Sequence, residues 1–195
     1  MKNNFILLSA LALLSFTAKN ITYKVDTKAS VVEWLGKKTT GQHTGTIALQ
    51  SGTLNFDRTA PVNGEFVLDM KSIIVTDIKD AEKNHDFADH LKNDDFFSVD
   101  KFPTSVIKVK KFEEVKTADA NYEATADLTI KGVTNQIEFP CKIDVVGDKV
   151  NAAANITIDR TKWNITYKSK SILGGMADKF IYDDIQFTVK LALKK

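Results

Sequence analysis

The chain has 195 residues, and its 27 Lys plus Arg against 25 Asp plus Glu give a formal net charge of +2. This balance argues against a nucleic-acid-binding protein, which would need a concentrated basic surface. The length suits one domain of ordinary size, which can bury a core without disulfides or metals. The only cysteine, Cys141, cannot form an internal disulfide.

The N-terminal residues have the pattern of a secretory signal peptide. Lys2 gives a positive start, residues 5–14 form an apolar stretch, and small residues lead to Ala18. The stretch is shorter than the ~20 residues that span a bilayer, but it matches the ~7–15 residues of a signal h-region. We therefore expect residues 1–18 to be a signal peptide and residues 19–195 to be one mature domain, located in the periplasm or secreted.

Taken in chain order, most of the remaining sequence predicts β-strands. Less regular apolar runs predict strands at residues 30–35, 44–49, 52–56, 65–73 and 104–112. Strict alternation of apolar and polar residues predicts half-buried strands at residues 122–130, 137–145, 150–158 and 185–193. Short glycine-containing segments at 131–134 and 146–148 are typical of hairpin turns.

One polar segment, residues 80–95, interrupts the strand pattern. Phe87 and Leu91 are four residues apart, which puts them on one face of a helix, and Asp80 is a suitable N-cap. The segment predicts a single helical excursion beside the sheet.

Eight or nine strands in one domain indicate a sandwich or a barrel. Continuous apolar faces without a natural edge favour a closed barrel. Small residues on the inward faces, namely Ala124, Ala126, Ala152 and Ala154, favour room inside it. An eight-stranded barrel is either filled by side chains or holds one ligand, and spacing alone leaves both alternatives open.

Short motifs in a particular order carry a resemblance to a known family. They are Tyr23-Lys24-Val25-Asp26, Ser30-Val31-Val32-Glu33-Trp34, Gly52-Thr53-Leu54-Asn55-Phe56, His90-Leu91-Lys92-Asn93-Asp94-Asp95-Phe96-Phe97, Lys101-Phe102-Pro103, Leu128-Thr129-Ile130-Lys131-Gly132-Val133-Thr134 and Ile158-Asp159-Arg160-Thr161-Lys162-Trp163-Asn164-Ile165. From residue 23 to residue 193 the chain resembles the YceI-like family of polyisoprenoid-binding, lipocalin-like proteins. One departure is that Lys168 and Lys170 stand where relatives often have glycines.

The resemblance implies an all-β, extended antiparallel lipocalin-like barrel of about eight strands with one short helical insertion. It implies an exported protein whose hydrophobic channel holds an amphiphile with an isoprenoid tail, such as a quinone or a polyprenyl phosphate, for transport, storage or stress response. A filled, non-binding structural or stress-response barrel and a small exported barrel enzyme are the alternatives.

Candidate site residues follow from the inward faces and from one basic loop. We expect the channel to be lined by Phe66, Leu68, Met70, Ala124, Ala126, Leu128, Phe139, Cys141, Ala152, Ala154 and Phe187. Candidate headgroup contacts are Arg160, Trp163, Lys168 and Lys170. For Arg160, pairing with a nearby carboxylate is the favoured interpretation.

Neither a metal site nor catalysis is expected. The predicted helix carries His85, Asp86, Asp89 and His90 at i,i+4 spacing, but a metal site needs three or four converging ligands. The chain has no Gly-x-Ser-x-Gly elbow, phosphate loop or paired-His zinc motif. We expect a monomer or homodimer that does not span the membrane, with no cofactor and no nucleic-acid partner.

Overall fold

The computed structural model describes residues 20–173 and 180–195. Its strands are β1 (Asn20–Val25), β2 (Val31–Lys38), β3 (Gly41–Asp57), β4 (Ala60–Val75), β5 (Thr104–Glu114), β6 (Tyr122–Ile130), β7 (Val133–Val146), β8 (Lys149–Asp159) and β9 (Ile181–Lys194). The helix α1 (Ala81–Lys92) lies between β4 and β5, while a 3₁₀ turn (Arg160–Trp163) and the short α2 (Lys170–Leu173) lie between β8 and β9. The N-terminal segment 1–18 lies outside the described residues.

Strands β2 to β9 form a closed antiparallel barrel. Each strand pairs with the next one along the chain, and β9 returns to pair with β2, where Trp34 is the partner of Phe187. Strand β1 is an extra strand that pairs with both β3 and β9. The expected all-β, lipocalin-like barrel with a helical insertion is thereby confirmed.

Both predicted hairpin turns are present. Lys131 and Gly132 connect β6 to β7 with φ values of 50° and 75°, and Gly147 connects β7 to β8 with a φ of 61°. Positive φ at both central residues of the first turn, and at the first central residue of the second, gives the backbone twist that a two-residue hairpin needs. The two turns hold the three most regular strands in register.

Helix α1 covers one end of the barrel and begins as predicted, at the Asp80 cap, whose carboxylate accepts a hydrogen bond from the Lys83 amide at 3.0 Å. It ends at Lys92, earlier than predicted, because Asn93 leaves the helical conformation while its amide still bonds to the last carbonyls. Phe96 and Phe97 follow and are buried. None of the helices in the described ranges is long and apolar enough to cross a bilayer.

The strand predictions were wrong in two places. Residues 44–49 and 52–56 belong to one 17-residue strand, β3, which continues through Gly52 with local shifts of register against β4. A Cβ atom at Gly52 would lie 2.4 Å from the Phe66 ring, so the glycine allows close packing rather than a turn. Strand β1 was not predicted.

Gly45 is expected to be intolerant of any side chain. A Cβ atom there would lie 1.9 Å from the Ile74 carbonyl oxygen and 2.5 Å from the Trp34 ring. We expect Gly45→Ala to lower the free energy of unfolding by about 1–3 kcal/mol or more through overpacking. Gly36→Ala, where nothing lies within 4 Å of the added Cβ, is the matched control and should change it by less than about 1 kcal/mol. Urea unfolding of both variants measures the difference, and equal losses would contradict the prediction.

Candidate ligand-binding site

An elongated apolar cavity, here called the channel, runs inside the barrel. All eight strands of the closed barrel contribute to its wall. The lining residues include Val32, Ile47, Leu49, Leu54, Phe66, Leu68, Met70, Phe97, Ser105, Ile107, Val109, Leu128, Ile130, Ile137, Phe139, Cys141, Ile143, Ala152, Ala154, Ile156, Phe187, Val189 and Leu191. None of the lining residues in the described part of the chain carries a charge. The free volume of the channel is about 130 Å³.

A second cavity, here called the vestibule, adjoins the channel at the end covered by α1. Ile47, Phe97 and Phe187 line both spaces, which places the vestibule directly beside the channel. The vestibule has a volume of about 380 Å³. Its wall combines aromatic rings with the basic side chains of Lys37, Lys38, His43, His90, Arg160 and Lys168, and among its described lining residues there is no Asp or Glu.

Two histidines of the vestibule are held by carboxylates that lie behind them. His43 Nδ1 lies 2.9 Å from Asp77, and His90 Nε2 lies 3.0 Å from Asp95. Burial raises the pKa of Asp77, but hydrogen bonds from the Thr44 amide and His43 lower it by a larger amount. The pKa of Asp77 is therefore below its usual value. These contacts orient both imidazoles in the wall of the vestibule.

Arg160 is buried and bonded to the protein itself. Its side chain is 1% exposed and donates hydrogen bonds to the carbonyl oxygens of Ile165, Ile181 and Tyr182 at 2.9–3.4 Å. Nη2 lies 3.3 Å from the Asp183 carboxylate. Burial lowers the pKa of Arg160, and the nearby carboxylates oppose that effect. In the structure Arg160 therefore pairs locally with a carboxylate, which is the interpretation favoured from the sequence.

Most residues predicted for the channel do line it in the structure. These are Phe66, Leu68, Met70, Leu128, Phe139, Cys141, Ala152, Ala154 and Phe187. Ala124 and Ala126 also lie on the inward face, but they are 0% exposed and are not among the residues that line the free space of the channel. Their place in the proposed channel wall is therefore corrected: they support the wall without reaching the free space.

The candidate headgroup residues are divided between the vestibule and the core. Lys168 lines the vestibule, and Lys170 lies 5.1 Å from the Tyr182 ring centre at its border. Trp163 is 1% exposed, and its Nε1 donates to the Leu128 carbonyl at 3.0 Å, which makes it a packing residue. Arg160 borders the vestibule with all its nitrogens engaged elsewhere.

Sequence reasoning missed several lining residues. Lys37, Lys38 and His43 reach the vestibule from the β2–β3 hairpin, and Phe97 reaches both cavities from the segment after α1. The paired phenylalanines at 96 and 97, in an otherwise polar segment, were the one available signal for that position.

The histidines and carboxylates of α1 form pairs rather than a cluster. His85 lies 3.2 Å from Asp89, and both side chains are more than half exposed. Within residues 20–173 and 180–195, no group of three or more His, Cys, Asp or Glu side chains lies close enough to hold a metal ion.

Cys141 is expected to resist thiol reagents in the folded protein. Burial in the channel wall raises the pKa of its thiol to about 12 from 9.0, with a smaller contribution from Glu123. At pH 8 the reactive thiolate is then roughly a thousandfold scarcer than in the unfolded chain. Labelling with a chromogenic disulfide should be slow in buffer and fast in denaturant, and native labelling within tenfold of the denatured rate would contradict this.

A closed eight-stranded antiparallel barrel with an apolar interior places the protein in the lipocalin-like class of barrels. The YceI-like domain matches residues 23–193, and the chain belongs to this family. A UPF0312 protein of Staphylococcus aureus is 30% identical over 101 residues, which cover 48% of this chain. The matched region spans 55% of that relative's length.

Solved structures share the fold over nearly the whole chain. BcnA of Burkholderia cenocepacia has a TM-score of 0.67 at 18% identity and covers 86% of this chain and 98% of its own. A polyisoprenoid binding domain from Saccharophagus degradans, implicated in plant cell wall breakdown, has a TM-score of 0.60 at 14% identity, covering 88% and 97%. A Campylobacter jejuni YCEI protein has a TM-score of 0.57 at 17% identity, covering 100% and 99%. At these identities the likeness concerns the fold.

Proposed function

We propose that this protein binds an amphiphilic lipid, with a long isoprenoid or similar tail in the channel and the polar head in the vestibule. The observation that carries the proposal is that an uncharged apolar channel lies beside a basic, aromatic vestibule, with Ile47, Phe97 and Phe187 lining both. Burying an apolar tail contributes about 0.8 kcal/mol per methylene, less the cost of ordering the tail. The fold shared with a polyisoprenoid binding domain supports the same ligand class.

The competing function is a structural or stress-response barrel with a filled interior. The channel's free volume of about 130 Å³ favours this alternative, since pockets for small molecules usually measure ~300–1,000 Å³. Under our proposal, flexible lining side chains such as Met70 and Phe97 turn aside when the tail enters. The proposed role is binding for transport, storage or stress response, without a catalytic step.

Mass spectrometry of lipid extracted from gently purified protein tests the proposal. We expect one lipid class with an isoprenoid or similar apolar tail, close to one molecule per chain. The lipid-free protein should then take up a supplied isoprenoid lipid in a titration. Protein that carries no lipid and takes up none would favour the filled barrel.

We further propose that the protein acts outside the cytoplasm, after removal of residues 1–18, which lie outside the described part of the chain. The support is the positive start and the short apolar stretch of this segment. Intact mass of protein from the periplasm or medium should correspond to a chain that starts near Lys19. Full-length protein that fractionates with membranes would contradict the proposal.

A further inference from the structure

The channel contains one buried hydroxyl that lacks a hydrogen-bond partner. Ser105 is 4% exposed, and its Oγ has no partner among the described residues. Alternate residues of β5, namely Ser105, Ile107 and Val109, line the channel, so the Ser105 side chain points inward. Nearly all buried hydroxyls in folded proteins are paired, and an exception requires an explanation.

The neighbouring strands offer Ser105 only apolar side chains. Leu68 of β4 is its register partner. On β6, the pairing of Val106 with Thr129 places Ile130 at the level of Ser105. Leu68 and Ile130 both line the channel. A partner for the hydroxyl must therefore come from what occupies the channel.

We propose, building on the lipid-binding function above, that Ser105 donates a hydrogen bond to a neutral carbonyl oxygen of the bound lipid. The acceptor is neutral because no charged residue lines the channel, and an anionic oxygen there would lose its hydration without gaining a counter-charge. A quinone ring, an ester or an amide carries such an oxygen. In a polyprenyl phosphate, by contrast, the oxygens belong to the anionic head.

The position of Ser105 sets the depth of this carbonyl. Strand β5 begins at Thr104, shortly after the segment that carries Phe97. Thr104 pairs with Asp69 of β4, so Ser105 lies at the start of the paired part of β5. Phe97 lines both the channel and the vestibule. The carbonyl therefore lies at the vestibule end of the channel, so that the polar head reaches from Ser105 into the vestibule. The tail extends the other way, toward Ile143 and Leu191.

The test compares Ser105→Ala with wild type and with Thr104→Ala, a control on the exposed face of the same strand. Lipid-free protein is titrated with three probes that compete with a fluorescent apolar dye: an isoprenoid quinone, the hydrocarbon squalene and a polyprenyl phosphate. We expect Ser105→Ala to weaken quinone binding about 3- to 10-fold and to leave squalene binding unchanged. Lipid-free Ser105→Ala should melt at or above the wild-type temperature, because it removes an unpaired hydroxyl.

Several outcomes would overturn the assignment while leaving lipid binding intact. One is an equal loss for quinone and squalene, which would give Ser105 a packing role. Another is a wild-type protein that binds polyprenyl phosphate more tightly than quinone, together with a Ser105→Ala variant that binds both as the wild type does. A wild-type protein that binds none of the three probes would instead refute the proposed function itself, and this inference with it.

Discussion

Replacing Arg160 by alanine is expected to lower the free energy of unfolding by about 3–5 kcal/mol. The change removes a large side chain that is 1% exposed, leaves three backbone carbonyls without their donor and leaves Asp183 without its counter-charge. These hydrogen bonds join the end of β8 to the start of β9, across the segment that borders the vestibule. Their loss should therefore loosen that border as well as destabilise the fold.

Urea unfolding of the Arg160 variants measures this effect. Lys162→Ala, at an exposed position in the same 3₁₀ turn, is the matched control and should stay within about 0.5 kcal/mol of wild type. Arg160→Met restores much of the buried volume without the charge, so it separates packing from hydrogen bonding. A loss below about 1 kcal/mol in Arg160→Ala would contradict the structural role given to this residue.

Acid should weaken the ion pair between Arg160 and Asp183 by protonating the Asp183 carboxylate. Burial raises the pKa of Asp183, but hydrogen bonds from Ser169 and Ser171 and the charge of Arg160 together lower it by a larger amount. The pKa of Asp183 is therefore below its usual 3.8. Because the folded-state pKa is the lower one, this contribution is complete above 3.8 and is lost as the pH falls through the folded value. When the pH is lowered from about 5 to about 3, the free energy of unfolding should consequently fall less in Asp183→Asn than in wild type.

The sequence predicted the later strands better than the earlier ones for a local reason. In β7 and β8, one face meets the interior and the other meets solvent, so the sequence alternates between apolar and polar residues. In β3 the pattern is interrupted at Ser51 and Gly52, which look like a turn. The strand nevertheless continues, with a shift of register between Leu49 and Ser51, and Gly52 packs against Phe66 of the next strand. That contact is a tertiary one, which local pattern cannot reveal.

The sequence predicts which side chains of the candidate site point into the barrel, but not which of them reach the free space of the channel. Alternation assigns Ala126 and Ala154 to the inward side equally well. Only the register separates them: Ala126 lies between Val109 and Ile137, whose larger side chains reach the channel in its place. Ala154 remains partly accessible at the channel wall. Of the vestibule, only Arg160 and Lys168 were among the predicted headgroup residues, because the rest of its wall comes from distant parts of the chain.

Replacing Ala154 by phenylalanine is expected to abolish lipid binding with little effect on the fold. Ala154 is partly accessible and lines the channel, between its register partners Cys141 and Val189. A phenyl ring there would occupy much of the about 130 Å³ that is free, so the tail could no longer enter. We expect lipid carried per chain to fall at least about tenfold, because several methylene contacts at about 0.8 kcal/mol each are lost. Lipid extraction and a dye-displacement titration measure the loss.

Ala126→Phe is the matched comparison, with the same added ring on the same inward side of the barrel. Ala126 is 0% exposed and close-packed, so the ring has no free space and should overpack the core. The expected loss is about 1–3 kcal/mol or more in lipid-free protein, which lowers the melting temperature by about 2–4 °C per kcal/mol in a chain of this size. Ala154→Phe should instead melt close to wild type. If both lipid-free variants were destabilised alike, position 154 would also be close-packed core and the channel would be filled. If only Ala126→Phe were destabilised and only Ala154→Phe kept its fold but lost lipid, the free space beside Ala154 would be the binding site.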